Sequence, residues 1–534
     1  MTNEGLQLSD GNIHTSARAA GTSISHHWSR VAGAGRANEG LRADWQKQLR
    51  EVVEVQGFEY LRFHGLFHDD MFVYREDETG AVTPSFQYVD ALFDALLEIG
   101  IRPFVEFGFM PREIAVHTDT LFWWRANGTP PTDYDKWEQL VLRTVEHWRD
   151  RYGIEEIRTW YFEVWNEPNL APFFRGTRSE YFEMYRRAAR AVKSVDPQLR
   201  VGGPATSNFV PDARFDGETE DTSQHAAVLA ADDLSALDWK PVWLAEFLAF
   251  TEAENLPVDF VAAHPYPTDW ALDEHGQGAK LTRDVNATAR DLQLLRKLVD
   301  NSAYPDAEIH LTEWSSSSSS RDRTHDHLQA ATFVLKANLD TIGLVDSLSY
   351  WAFTDIFEEA GGGQEPFHGG FGLVNHHGIP KPTYHAYRFL NALGDELLTR
   401  SDAGAITRRS TDGKIIGAIY HYPEEVTLTV PASIDVWDIA ERTLATGTPR
   451  TISLRVEDLA DDAQFTLEIV DHEAGNALPA WKQQGKPLNL SRAEQAAIDH
   501  AARTLRVEHH IAVNGVLTLN VTLPPWGIAL LTQV

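Results

Sequence analysis

Phe162-Glu163-Val164-Trp165-Asn166-Glu167-Pro168-Asn169 is a short apolar strand that ends in an acidic tip. Pro168 pre-sets the backbone of the turn, and Asn169 is suited to cap the next segment. An ionisable residue at the C-terminal end of a buried strand is where (β/α)8 barrels carry their chemistry. Working outward, the flanking sequence has the matching rhythm. Upstream, Trp137, Leu140, Val141, Val145 and Trp148 form one helical stripe that stops at Gly153. Downstream, a helix over 179–195 closes at Asp196-Pro197.

The alternation continues in both directions. Strands are predicted near Thr22 and over 57–64, 102–107, 158–165, 199–202, 258–263, 307–312 and 346–352. Between the second and third runs a helix with Val89, Leu92, Phe93, Leu96 and Leu97 on one stripe ends at Gly100. Eight strands alternating with helices call for a closed parallel barrel. The predicted fold is therefore α/β, a (β/α)8 TIM barrel over residues 21–393. Beyond that, β-like runs at 414–420, 425–430, 464–470 and 509–523 replace the helical stripes. They predict an accessory antiparallel β-sandwich over 394–534, interrupted by a polar helical stretch at 478–505. Asn514-Gly515, between alternating runs, is a hairpin turn signal. Residues 1–20 are expected to join the sandwich. Six serines at 315–320 and the glycine-rich stretch opening at Gly361 are expected to be mobile or close-fitting loops at strand ends.

A second strand end resembles the first: Ile309-His310-Leu311-Thr312-Glu313-Trp314. Two carboxyls on one barrel rim can face each other across a cavity, which is what glycoside hydrolysis requires. One must be protonated near neutral pH to assist the leaving oxygen, and the other ionised. Other strand tips supply Arg62 and His64, then His264 and Tyr266, then Trp351. Arg62 is placed to hold whichever carboxyl is the ionised one by charge pairing, Tyr266 to donate to Glu313, His264 to bind a sugar hydroxyl, and Trp351 to floor a sugar ring.

Composition narrows the alternatives. A net charge of −31 repels nucleic acid, anionic membranes and polyanionic sugars. The expected partner is a small, neutral oligosaccharide, with no nucleic acid and no membrane; homo-oligomerisation is left open. The chain has no cysteine, which excludes disulfides and thiolate chemistry. Residues 1–20 lack a signal-peptide pattern, so a cytoplasmic location is expected and the sequons at Asn127, Asn286, Asn489 and Asn520 are expected to be idle. The histidine pairs His26-His27, His376-His377 and His509-His510 and the run His325-Asp326-His327 lack His-Glu-x-x-His spacing, so no metal and no cofactor is expected. There is no Gly-x-Ser-x-Gly elbow, and Gly33-Ala34-Gly35-Arg36-Ala37-Asn38 lacks the last glycine of a dinucleotide loop. A catalytically silent sugar-binding barrel is the competing class.

Several stretches together resemble glycoside hydrolase family 39, a family of β-xylosidases and α-L-iduronidases. They are Arg62-Phe63-His64-Gly65, Trp165 to Leu170, Val201 to Thr206, His264-Pro265-Tyr266 and Leu311-Thr312-Glu313-Trp314. To these are added Trp351 to Asp355, Phe357-Glu358-Glu359, Phe367 to Leu373 and Gly378-Ile379-Pro380-Lys381-Pro382. The resemblance covers roughly residues 20–390, and Phe63-His64-Gly65 to Asp70-Met71 looks most similar to the bacterial β-xylosidases. It implies Glu167 as general acid/base and Glu313 as nucleophile. It implies Asn166 at the 2-hydroxyl of the attacked ring, and a loop carrying Glu358 and Glu359 into that subsite. It further implies a retaining exo-glycosidase releasing terminal β-1,4-linked xylose by double displacement, with α-L-arabinosidase or α-L-iduronidase activity as alternatives. The serine run after Trp314 has no counterpart in the family pattern.

Overall fold

The computed structural model describes residues 11–170, 173–207, 209–210, 239–272, 278–432 and 434–534. Eight parallel strands close into a barrel in chain order: Val31–Arg36, Tyr60–His64, Arg102–Phe107, Tyr161–Val164, Arg200–Ser207, Phe260–His264, Glu308–Trp314 and Ser347–Tyr350. Closure comes from Phe260–His264 pairing with Arg200–Ser207 on one side and Glu308–Trp314 on the other. The strands are buried along nearly their whole length, so they read as continuous apolar runs rather than alternating ones.

The first barrel strand is Val31–Arg36, not the run near Thr22. Thr22–Ser23 instead pairs antiparallel with Glu396–Ser401 at the edge of a different sheet. Two exposed residues have no face to bury in a barrel wall. Val31-Ala32-Gly33-Ala34-Gly35-Arg36 is fully buried but short of bulky residues, which hides it from a hydrophobicity reading. Its small size is functional packing: a Cβ on Gly33 would come within 2.4 Å of the Trp351 ring.

Successive side chains of a strand point to opposite faces, so alternate residues fill the barrel. The N-terminal end is plugged by Val31, Tyr60, Phe104, Tyr161, Ala205, Phe260 and Ala262. Two residues further along, the same registers carry Arg62, Glu106, Glu163, His264 and Thr312, all 1% exposed or less. The barrel interior therefore changes from aromatic to ionic along its axis.

The C-terminal region forms a seven-stranded sheet ordered Thr22–Ser23, Glu396–Ser401, Gly404–Arg408, Ile415–Tyr420, Ile528–Gln533, Gln464–Val470 and Arg506–Ile511. A three-stranded sheet of Ile13–Ser16, Arg450–Glu457 and Leu517–Leu523 faces it. Ile406, Ile415, Ile419, Leu467, Ile469 and Leu531 meet Ile13, Ile452, Leu454, Val456, Leu519 and Val521 between the sheets. The other face of the large sheet, with Ala405, Ile416, Ala418, Ile528 and Leu530, joins the core of the barrel. Two sequence expectations fail here. Residues 425–430 form no strand; Glu424–Val426 is a 3-10 turn with no buried residue. Asn514-Gly515 does make a tight turn, with Val513 bridged to Val516, but it is not a hairpin within one sheet. It passes the chain from the large sheet to the small one, because Arg506–Ile511 pairs with Gln464–Val470 while Leu517–Leu523 pairs with Arg450–Glu457. The stretch 478–505 holds helices Ala477–Gln483 and Arg492–Arg503, the second opened by a Ser491/Glu494 capping box.

The serine run is close-fitting. Ser315, Ser316 and Ser317 are 0–2% exposed, and Ser315 Oγ donates to the Ser317 carbonyl. The glycine-rich loop is pinned by Lys381, whose buried ammonium reaches Asp326 at 2.8 Å, Asp355 at 2.7 Å and the Gly370 carbonyl at 2.8 Å. Gly369 sits at φ +78° with the Asp322 backbone 2.6 Å from where a Cβ would stand, so no other residue fits. Among the described residues no helix is long and apolar enough to cross a membrane.

Candidate active site

Glu167 comes after the fourth strand on a turn in which Trp165 and Glu167 both adopt positive φ, 71° and 46°. Bulky residues occupy that region only when the surroundings enforce it. Here Trp165 N–H donates to the Phe107 carbonyl and Glu167 N–H to the Ala205 carbonyl, tying the turn to the third and fifth strands. Asn169 exchanges two hydrogen bonds with the Ser207 backbone, at 2.9 and 2.8 Å. Glu313 lies within the seventh strand, one residue before its end. An oxygen of Glu167, a ring nitrogen of His264 and an oxygen of Glu313 all lie within 4.8 Å of one another. That trio has the donor types of a metal site, yet the cations already on Glu313, Arg62 and His64, repel a metal ion from it.

The two carboxyls, each 5% exposed, have opposite surroundings. Arg62 Nη1 reaches Glu313 Oε1 at 2.6 Å, His64 Nε2 reaches the same oxygen at 3.3 Å, and Tyr266 Oη donates to Oε2 at 3.3 Å. Burial opposes ionisation of Glu313, but the positive charges of Arg62 and His64 win and hold its carboxyl far below the usual range. Glu167 has no cation in contact. Burial, reinforced by the charge of Glu313, pushes its carboxyl well up. Its partners are His264 Nδ1 at 3.0 Å and the Ser207 hydroxyl.

Beneath the carboxyls Arg62 organises a buried ion cluster. Its Nε donates to Glu163 Oε2 at 2.7 Å and its Nη2 to Asn166 Oδ1 at 2.8 Å, with Glu106 Oε2 3.0 Å away. A buried guanidinium is tolerable only when fully paired in this way. Glu106 also bonds His64 Nδ1 at 2.6 Å, and burial notwithstanding, Glu106 and Glu313 raise that imidazole to about 10. His64 is thus a cation at neutral pH. Because guanidinium is donor-only, Asn166 must present Oδ1 to Arg62, which leaves its buried Nδ2 without a hydrogen-bond partner.

Glu359 comes within 3.8 Å of His64, and burial with the negative charge of Glu313 pushes its carboxyl up to about 8. Glu358, its neighbour, is not brought to the cluster: Arg36 Nη2 at 2.9 Å and Arg42 Nη1 at 3.4 Å hold it outside. Glu39 accepts the Glu358 backbone N–H at 2.9 Å and anchors that loop. Trp351 is 2% exposed, with its ring 4.7 Å from His64 and 5.8 Å below the Arg62 guanidinium. Both nitrogens of His264 are engaged, Nδ1 by Glu167 and Nε2 by Thr312 Oγ1 at 2.9 Å, so neither is free for a sugar hydroxyl. Asn127 is buried and bonded to the His117 carbonyl, which keeps that sequon out of reach.

Glu106, Glu163, Thr312, Ser207 and Glu39 escaped the sequence reading. For the first three the signal was present: each shares the inward register of a barrel strand with a residue that plugs the base, Phe104, Tyr161 or, for Thr312, the buried His310. A charged side chain on that register has nowhere to go but the interior.

The chain is 36% identical over 513 residues to a β-xylosidase of Geobacillus stearothermophilus, covering 93% of this chain and 90% of that protein. It is 34% identical over 521 residues to a β-xylosidase of Caldicellulosiruptor saccharolyticus, covering 95% of each. A solved monomeric β-xylosidase from Caulobacter crescentus superposes with a TM-score of 0.81 at 30% identity, covering 98% of this chain and 99% of that one. Residues 12–508 match the glycosyl hydrolases family 39, and the chain belongs to that family as a glycoside hydrolase on a (β/α)8 barrel.

Proposed function

We propose that this enzyme is a retaining exo-β-xylosidase that removes terminal xylose from short β-1,4-linked xylo-oligosaccharides. The observation that carries the reading is the pair of carboxyls whose oxygens approach within 4.8 Å while their surroundings drive their protonation apart. Retaining enzymes hold the two carboxyl groups about 5–5.5 Å apart, whereas inverting ones need roughly 6.5–9.5 Å to admit water. Glu313, ionised by Arg62, His64 and Tyr266, attacks the anomeric carbon. Glu167, kept protonated by burial and by Glu313, delivers its proton to the leaving oxygen as the C–O bond breaks. Glu167 then takes a proton from water, whose oxygen displaces Glu313. The unpartnered Nδ2 of Asn166 is suited to donate to the 2-hydroxyl of the attacked ring.

Exo action is supported by the mouth of the site. The hairpin of Thr120–Leu121 and Ala126–Asn127 is tied to the loop after the eighth strand by Trp123 N–H donating to the Glu359 carbonyl at 2.7 Å. A neutral pentose is favoured over a uronic acid because the cations described near the carboxyls are already engaged. Arg62 and His64 are taken by Glu106, Glu163 and Glu313, and Arg321 donates to the Ser320 and Gly361 carbonyls. The names of the full-length relatives point the same way.

The test is Glu313→Ala on an aryl β-xyloside with added azide. Turnover is expected to vanish and to return as the α-azide. Near-normal rates without azide, or a product of retained configuration, overturn the assignment. A panel of xyloside, arabinoside and iduronide tests the sugar; xyloside ranking last refutes the choice.

A further inference from the structure

A buried chain of three side chains runs from the ion cluster to Glu167 without meeting solvent: Glu163, Thr312 and His264, each 0% exposed. Thr312 Oγ1 donates to Glu163 Oε1 at 2.7 Å, His264 Nε2 stands 2.9 Å from Thr312 Oγ1, and His264 Nδ1 stands 3.0 Å from Glu167 Oε1. A hydroxyl has one proton and a neutral imidazole has one. Counting them fixes the direction of every bond. Both oxygens of Glu163 face donors, Arg62 Nε and the Thr312 hydroxyl, as an ionised carboxylate requires. With its proton committed to Glu163, Thr312 can only accept, so His264 must carry its hydrogen on Nε2. Its Nδ1 is then a bare lone pair, and the atom facing it, Glu167 Oε1, must bring the proton.

We propose that Glu163 and Thr312 are positioning residues that select the Nε2–H tautomer of His264 and thereby hold the resting proton on Oε1 of Glu167. This rests on the reading of Glu167 as the acid/base. The leaving oxygen of a bound substrate then competes with His264 Nδ1 for a proton already in place. After the sugar has been transferred to Glu313, the same lone pair faces ionised Glu167 and favours its recovery of a proton from water. Hydrogen bonding to the neutral form of an acid raises its pKa.

The arrangement is consistent with the electrostatics around it. Burial lowers His264 to about 4, so it is neutral where glycosides are cleaved. Glu163 is pushed up by burial and pulled back by the Arg62 charge. Glu167 also faces Glu313, Ser207, Tyr266 and Glu359, and more distantly the charges of His64 and Arg62. Of these, Ser207 donates to the ionised form and so opposes the relay; Glu313 reinforces it.

Neutron diffraction of the unliganded enzyme near neutral pH reads the protons directly and needs no variant. Hydrogen on His264 Nε2 and Glu167 Oε1, with none on Glu163, is expected; hydrogen on His264 Nδ1 or on Glu163 overturns the relay. The kinetic arm compares Thr312→Val, which keeps the shape and removes the hydroxyl, with Thr312→Ser, which restores it. Freed from Thr312, His264 turns its N–H toward Glu167 and stabilises the carboxylate. Thr312→Val should therefore move the alkaline limb of kcat/KM to lower pH by about one unit. It should also slow poor leaving groups about tenfold more than a dinitrophenyl glycoside, with both effects reversed in Thr312→Ser. Equal slowing of both substrates with an unmoved limb means only a packing role and overturns the proposal. The underlying reading fails separately: Glu167→Gln would then show no dependence on the leaving group, whatever the tautomer of His264.

Discussion

The ends of the fourth and seventh strands carry the same side chain across a gap of no more than 4.8 Å, in surroundings that treat a proton in opposite ways. At the seventh strand Glu313 meets a guanidinium, a cationic imidazole and a phenol. At the fourth, Glu167 meets a neutral imidazole, a hydroxyl and the negative charge of Glu313. Neither difference is visible in the local sequence. Chemistry at this rim is assigned by what the other strands deliver to each carboxyl, and single substitutions can alter one delivery at a time.

Removing the cation should break the contrast most severely. Arg62→Ala leaves Glu106, Glu163 and Glu313 as buried charges without their common partner. Losing one side of a buried pair costs about 3–5 kcal/mol, so the denaturation midpoint should fall sharply and turnover should be lost even where the fold survives. An unchanged midpoint in urea would mean that the cluster is solvated and the contrast mis-drawn.

Neutralising the fourth strand's tip comes next. In Glu167→Gln the loss should be about 10²–10⁴-fold for poor leaving groups and much less for activated ones. The sign of the pH effect comes from the raised carboxyl. With Glu167 as the proposed acid, activity requires it protonated, so kcat/KM should decline as pH rises through its pKa; the amide cannot titrate, and that alkaline limb should disappear. On the proposed mechanism Glu313 should govern the acid side, because protonating it removes the nucleophile, and its depressed carboxyl places that limb at the acid extreme.

Tyr266→Phe sharpens the comparison by trimming one donor from Glu313. A hydrogen bond to a charged group is worth about 1.5–3 kcal/mol, and at 3.3 Å this one belongs at the weak end, so kcat/KM should drop about tenfold. Because a donor to the ionised form is lost, the acid limb should move up in pH. A downward move would reverse the assignment of that hydrogen bond.

The smallest effect separates adjacent residues. Glu359→Ala should raise KM about tenfold, the cost of one substrate hydrogen bond and its surroundings. Glu358→Ala, which removes only partly exposed ion pairs with Arg36 and Arg42, should change kcat/KM by less than about threefold. If the two rank the other way, the loop enters the site by its other glutamate.

Much of the architecture was legible because it is written locally. A buried strand and an amphipathic helix each announce themselves within a dozen residues, and both catalytic candidates stand at the ends of such strands. The misreadings share a cause. Thr22–Ser23 looks like a strand and is one, but the sheet it joins lies hundreds of residues away. Asn514-Gly515 specifies a turn and not which sheets the turn connects. Glu358 and Glu359 are the same residue twice, and only Arg36, at the end of the first strand, and Arg42, after the 3-10 turn that follows it, decide which of them stays outside the cluster.

From the sequence alone came the alternating strands and helices, the two acidic strand ends, the absence of thiol chemistry and the family pattern that names their roles. These depend on residue identity and on spacing within one element. Tertiary structure alone decided what charges one carboxyl and not the other, that Asn166 keeps a free donor, that His264 serves Glu167 rather than a sugar, and that Glu106, Glu163 and Thr312 belong to the site. The reason is electrostatic: a proton's affinity for a buried oxygen is set by charges and donors within a few ångströms. In a closed barrel those neighbours come from strands far apart in the chain.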